Sequence, residues 1–203
     1  MANTQAQYGF SHYGYLPGGA VDMQLSRYQI QSTYSTGIYF GDPVVKSAAA
    51  GGGVAPYIIP ATGTGSITAL TGIFQGCSFT PKGGVPQWSP WYPPQSQGAD
   101  TTAYVIDAPN ALFKVAALLT AVPPSAIGEG IGFSTGAGGT TVGGGFSTYV
   151  VDQSTLTTGP VAPFQIVSMW PGVGNGSDTT TNYNWIVVTF NNQRYRAAQT
   201  TIA

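Results

Sequence analysis

Apolar residues in this chain come in short bursts, and most of the bursts alternate with polar ones. "RYQIQ" (27–31) puts Tyr28 and Ile30 on one side and Arg27, Gln29 and Gln31 on the other. "GIFQGCSF" (72–79) sets Ile73, Gln75, Cys77 and Phe79 against Phe74 and Ser78. A period of two is the signature of an extended strand with two distinct faces. "AYVID" (103–107), "FSTYVVD" (146–152) and "FQIVSMW" (164–170) read as strands, with shorter ones at 58–59 and 66–70. In "YNWIVVTFNNQRYR" (183–196), Trp185, Val187 and Thr189 alternate with Ile186, Val188 and Phe190. That predicts a strand buried on both faces, followed by a turn at Asn191-Asn192. Residues 112–119 fit two periods. Their alanines and leucines favour a helix, whereas Phe113, Val115 and Ala117 would share one side of a strand.

Glycine and proline punctuate these runs. In "GIYFGDPVVK" (37–46) one strand piece covers 38–40 and another resumes at Val44-Val45. Asp42-Pro43 is expected to break the ladder between them, because proline has no N–H to donate. Residues 1–20 carry Tyr8, Phe10, Tyr13 and Tyr15 ahead of Pro17-Gly18-Gly19, without sustained alternation. They predict an extended N-terminal arm resting on a neighbour or on its own body, with 21–203 as the β-rich body. "SAAAGGG" (47–53) reads as a loop. Five prolines fall within 80–98 and restrain that stretch to extended or turn shapes. Residues 128–145 are glycine-rich, with one weak strand. An inserted loop or subdomain would sit at 80–100 and 128–145. The pattern as a whole predicts an all-β fold, a jelly-roll-like or barrel-like body with long Gly/Pro-rich loops.

Composition narrows the function. Of 203 residues, 42% are hydrophobic and 12% aromatic, which excludes a disordered chain. Only 6% are charged and the formal net charge is −1, against about a quarter charged in an ordinary domain. A surface so poor in charge offers little long-range repulsion between copies, as expected of a chain that works in an assembly. The nearest approach to a basic patch is Arg194-Tyr195-Arg196, so no nucleic-acid partner is expected. Residues 115–122 form the longest apolar run, far short of the roughly 20 a membrane helix needs, and no membrane partner is expected. The first residues lack the basic cluster and apolar stretch of a secretory leader, so synthesis in a cytoplasm is expected.

Candidate chemistry is sparse. Cys77 stands alone and reads as a small buried hydrophobe. His12 is the single histidine, reads as a surface residue, and leaves neither a nucleophilic triad nor a zinc set in view. No cofactor, metal or enzymatic activity is expected. The carboxylates Asp22, Asp42, Asp100, Asp107, Glu129, Asp152 and Asp178 are scattered. Asp42, Asp107 and Asp178 suit turns. The glycine clusters at 128–132 and 172–176 lack the Lys-Ser/Thr pair and the helix of a phosphate cradle. Trp88, Trp91 and Tyr92 stand apart, on the proline-stiffened loop. Such rings either cap the domain's own core, serve as anchors for a partner, or form a carbohydrate platform.

"RYQI", "STGIYFGDPVV", "YVIDAPNALFKV", "FQIVSMWPG" and "YNWIVVTFNNQRYR" follow one another in an order that resembles the head decoration (cement) proteins of tailed bacteriophages. Arg27-Tyr28, Gly41 to Val44, Asp107, Pro109, Phe113, Val115, Pro171, Asn191, Asn192 and Tyr195 carry the likeness, which spans roughly two-thirds of the chain in short motifs. Ala108, Lys114 and "AALLTAV" depart from the more charged pattern of that family, and the loop 81–94 is particular to this chain. The resemblance implies a non-enzymatic structural protein on the outer surface of a virion capsid. Its partners would be the major capsid protein and further copies of itself, as a homodimer or homotrimer. Tyr8, Phe10, Tyr13, Tyr15, Trp88, Trp91 and Tyr92 are the expected partner contacts. The alternative is a virion adhesin or tail-associated module binding host glycan through Trp88, Trp91 and Tyr92.

Overall fold

The computed structural model describes residue 3 and residues 8–17, 25–47, 57–62, 69–93, 99–118, 120–135, 145–159 and 161–195. All but Ser47 of the loop expected at 47–53, most of the strand expected at 66–70, positions 94–98 and 136–144, Asp22 and Arg196 lie outside the described residues.

The protein is all-β. Its strands are β1 (Ser11–Tyr15), β2 (Ser26–Ile30), β3 (Pro43–Lys46), β4 (Ile58–Pro60), β5 (Gly72–Phe79) and β6 (Gln87–Ser89). They continue with β7 (Thr101–Ile106), β8 (Ala111–Ala116), β9 (Gly130–Thr135), β10 (Tyr149–Thr157), β11 (Phe164–Met169) and β12 (Trp185–Phe190). A single 3-10 turn, Pro124–Ala126, is the only helical element among the described residues. Two antiparallel sheets result. Sheet A runs β1-β8-β12-β11-β9-β10, and sheet B runs β2-β7-β5-β3-β4 with β6 added beside β5. Both sheets are open, so the body is a two-sheet, sandwich-like arrangement rather than a closed barrel.

Two apolar cores form. The larger lies against sheet A and gathers Phe113, Phe133, Phe164, Ile186, Val188 and Phe190. The smaller lies on sheet B and gathers Tyr28, Ile30, Val44, Phe74, Val105 and Tyr92. They meet at β5, which turns Ile73 into the larger core and Phe74 into the smaller. Alternation of side chains along a strand makes this sharing possible. Past Phe74 the register slips at Gly76, whose φ of 135° suits a residue without a β-carbon.

The structure decides several local questions. Residues 111–116 are a strand, because Phe113 and Val115 are needed in the larger core while β1 and β12 pair on either side. Pro43 does not interrupt a strand but opens β3, a position where its missing N–H costs nothing. Ile38 and Phe40 make isolated bridges instead of a strand. Asp42 forms the turn, its carboxylate accepting the Tyr39 N–H at 2.8 Å. β12 is buried on both faces from Ile186 onward, but Trp185 at its start is half-buried. Residues 8–15 are not a separable arm. β1 is the edge strand of sheet A, paired with β8, and Phe10 ahead of it is fully buried, stacked on Phe164 at 4.4 Å between ring centres.

Candidate interaction surface

β8 and β12 divide their side chains by parity. Phe113, Val115, Ile186 and Val188 point into the larger core, which leaves Lys114 and Trp185 on the opposite face of sheet A. On that face Lys114 and Val187 are cross-strand partners, as are Ala116 and Trp185. A register slip in β11 between Ile166 and Ser168 carries the chain to Trp170, whose N–H donates to the Trp185 carbonyl at 2.9 Å. Two indoles are thereby set side by side, with ring centres 6.3 Å apart.

The loop after Trp170, "PGVGNG", holds both indoles from beneath. A β-carbon on Gly172 would fall 2.3 Å from Trp170 Nε1. Residues 172–176 therefore serve as a floor for rings. Asn3 fastens this loop: its Oδ1 accepts the Gly176 N–H at 2.8 Å, and its Nδ2 donates to the Asp178 carbonyl at 2.7 Å. Asp178 shapes the turn as expected, accepting the Thr180 N–H and hydroxyl, and those bonds lower its pKa.

A second group of rings joins from three segments. Phe10 N–H donates to the Gly41 carbonyl at 3.0 Å, Phe40 N–H to Gly145 at 3.0 Å, and Ser147 N–H to Phe40 at 2.8 Å. These bonds bring Tyr8, Phe40 and Phe146 together. The rings then form one continuous row, Tyr13–Trp170–Trp185–Tyr8–Phe146–Phe40, with successive centres 5.4, 6.3, 6.4, 6.0 and 5.7 Å apart. Tyr8, Tyr13 and Phe146 are exposed, at 47, 46 and 37%. Lys114 enters the row with its ammonium 4.1 Å from the Trp185 ring centre and 4.6 Å from that of Trp170. Burial pushes its pKa down. Beside it opens a cavity of about 220 Å³ walled by Tyr8, Phe146 and Trp185.

The expected contact residues divide accordingly. Tyr8 and Tyr13 belong to this face. Phe10 and Tyr92 do not reach any surface: both are fully buried, the first in the larger core and the second in the smaller, where the Tyr92 hydroxyl donates to the Tyr34 carbonyl at 3.0 Å. Tyr15 is half-buried against the larger core, its ring 5.0 Å from that of His12. Trp91 is half-buried and stacked on Tyr39. Of the three rings expected on the proline-rich loop, Trp88 stands clear, at 61% exposure. Lys114, Phe146, Trp170 and Trp185 were not expected. The available signal was the parity of Lys114, a charge placed between Phe113 and Val115 in an otherwise apolar run.

Other polar groups are structural. Asp107 accepts the Ser26 hydroxyl at 2.7 Å and the Tyr28 hydroxyl at 2.8 Å, and the Tyr28 and Tyr195 hydroxyls lie 3.1 Å apart. Burial, the bonded Tyr195 and the adjacent Asp107 drive the Tyr28 pKa upward. His12 is not the surface residue expected. Its Nε2 is buried and unbonded among the described residues, its ring lies against Tyr15 and Phe113, and burial lowers its pKa. Cys77 is fully buried, and burial pushes its thiol up to about 12. Among the described residues no three His, Cys, Asp or Glu side chains gather as a metal site.

No protein-family model matches the chain, and neither a curated protein nor a solved structure matches it.

Proposed function

We propose that this is a structural, non-enzymatic virion protein. It decorates the outside of a tailed-phage capsid and stabilises contacts between capsomers of the major capsid protein, acting as a homodimer or homotrimer. The observation that carries this reading is the row of six rings that joins sheet A to the neighbouring loops, three of them exposed, on a chain that is only 6% charged. Rigid aromatic side chains supply contact area at low entropic cost and dominate protein–protein recognition. The order of motifs in the sequence supports the same class. An adhesin stacking host sugars on the proline-rich loop has a single exposed ring there, Trp88, because Trp91 stacks on Tyr39 and Tyr92 is buried.

The test is addition of purified protein to undecorated capsids, with bound copies counted by quantitative mass spectrometry. Repetition over a symmetric shell calls for on the order of hundreds of copies per particle. A handful would mean a tail-associated protein, and none would reject the reading.

A further inference from the structure

The cavity beside Lys114 has a composition of its own. Its walls are the rings of Tyr8, Phe146 and Trp185 with Gly9, Ser11 and Ala116 between them, and its one charged group is an ammonium lodged on two indole faces. Cation–π contact stabilises such a charge by roughly 0.5–2 kcal/mol but leaves it un-neutralised. Among the described residues the contacts of Lys114 are with those rings, and no carboxylate pairs with it. A lysine in this setting, partly withdrawn from water and without a counter-charge, is prepared for an anion.

We propose that this cavity is a carboxylate-binding site, and that its occupant is an acidic side chain, next to an apolar one, on the protein to which the aromatic face docks. The partner clause rests on the docking reading above; the carboxylate site stands on the local geometry. A single ammonium matches one carboxylate, whereas phosphate sites converge several donors. Tyr8 meets Phe146 at 88° and Trp185 at 75°, so the walls form a corner rather than a flat platform. A corner of ring edges and faces accepts an apolar side chain and denies a sugar its stacking plane. Burial holds the ammonium below the ordinary lysine range, and an arriving carboxylate would raise it again.

The experiment is an NMR titration that follows the indole N–H signals of Trp170 and Trp185 and the Lys114 side chain. The probes are phenylacetate, its neutral isostere phenylacetamide, inorganic phosphate and N-acetylneuraminate. The expected result is that phenylacetate binds about tenfold more tightly than phenylacetamide. K114M should abolish that preference and K114R should keep it. Equal binding of the two isosteres, a preference that survives K114M, or no binding of phenylacetate overturns the site. Tighter binding of phosphate or N-acetylneuraminate overturns the assignment to a protein side chain. K114M is then compared with the unaltered protein on undecorated capsids. Reduced occupancy supports the partner assignment and equal occupancy overturns it. If the unaltered protein ignores capsids yet discriminates the isosteres, the capsid reading falls and the carboxylate site stands.

Discussion

Gly176 lies so close to Trp185 that a β-carbon on it would sit 2.4 Å from the indole Cγ, while the Trp185 N–H donates to the Gly176 carbonyl at 2.9 Å. The φ of Gly176 is +89° and that of Gly174 is +102°, but a β-carbon on Gly174 would meet nothing within 4 Å. The two glycines thus separate backbone strain from ring displacement. G174A should cost about 1–2 kcal/mol, the backbone term alone. G176A should cost about 3 kcal/mol and shift the tryptophan fluorescence, because the indole must also move. Thermal unfolding of the pair checks this. Equal losses would mean that the glycine floor does not position Trp185.

Asp42 introduces a pH dependence. It is 3% exposed, and burial raises its pKa to about 6 against the bonds from Ser147 and the Tyr39 N–H, which act to lower it. The folded value lies above the ordinary 3.8, so the fold favours the protonated form. The corresponding stability is fully present below the unfolded value and is lost as pH rises through about 6. The shift corresponds to roughly 3 kcal/mol. D42N keeps an acceptor for the Tyr39 N–H and carries no charge to bury. It should melt above the unaltered protein at pH 8, with the gap closing by pH 4. Thermal unfolding across that range provides the measurement.

Phe10 decides whether the N-terminal segment is part of the body. Its ring stacks on Phe164 at 4.4 Å and meets Phe133 edge-on at 6.1 Å. F10A should cost about 3–5 kcal/mol by chemical denaturation. Removing residues 1–20 also deletes β1, and should leave a chain that no longer unfolds cooperatively.

The fold was largely legible because alternation is a local property. The strand cores at 27–30, 72–79, 103–106, 164–169 and 186–190 follow from side-chain parity and β-branched or aromatic content. The ring row was not, because its members come from segments far apart in sequence. Nothing near Trp170 indicates that Trp185 will lie beside it, and nothing near Tyr8 indicates Phe146. The pairing is set by strand order within sheet A, which a single sequence does not encode locally. Trp88, Trp91 and Tyr92 drew attention for the opposite reason. They are neighbours in sequence but point to three environments, solvent, the Tyr39 ring and the smaller core.

The same geometry predicts how salt acts on docking. Exposed charges are screened beyond about 8 Å at physiological ionic strength, whereas a half-buried contact and apolar area are little affected. Occupancy on undecorated capsids should therefore change less than about threefold between 50 and 500 mM sodium chloride. Y13S should lower occupancy while preserving the melting temperature, and W88A should alter neither. A steep loss with salt would transfer the docking to exposed cations such as Arg27 or Lys82.

β1 and β8 pair across a longer stretch of sequence than any other two neighbouring strands among the described residues. Nearly a hundred residues separate them, and Phe10 closes against Phe164 across a longer stretch still. Long-range closures of this kind make folding slow. The ring row depends on closures as long, since it needs Tyr8 and Trp185 at once. A chain cut short of Trp185 therefore lacks the row, whatever strands it has already paired.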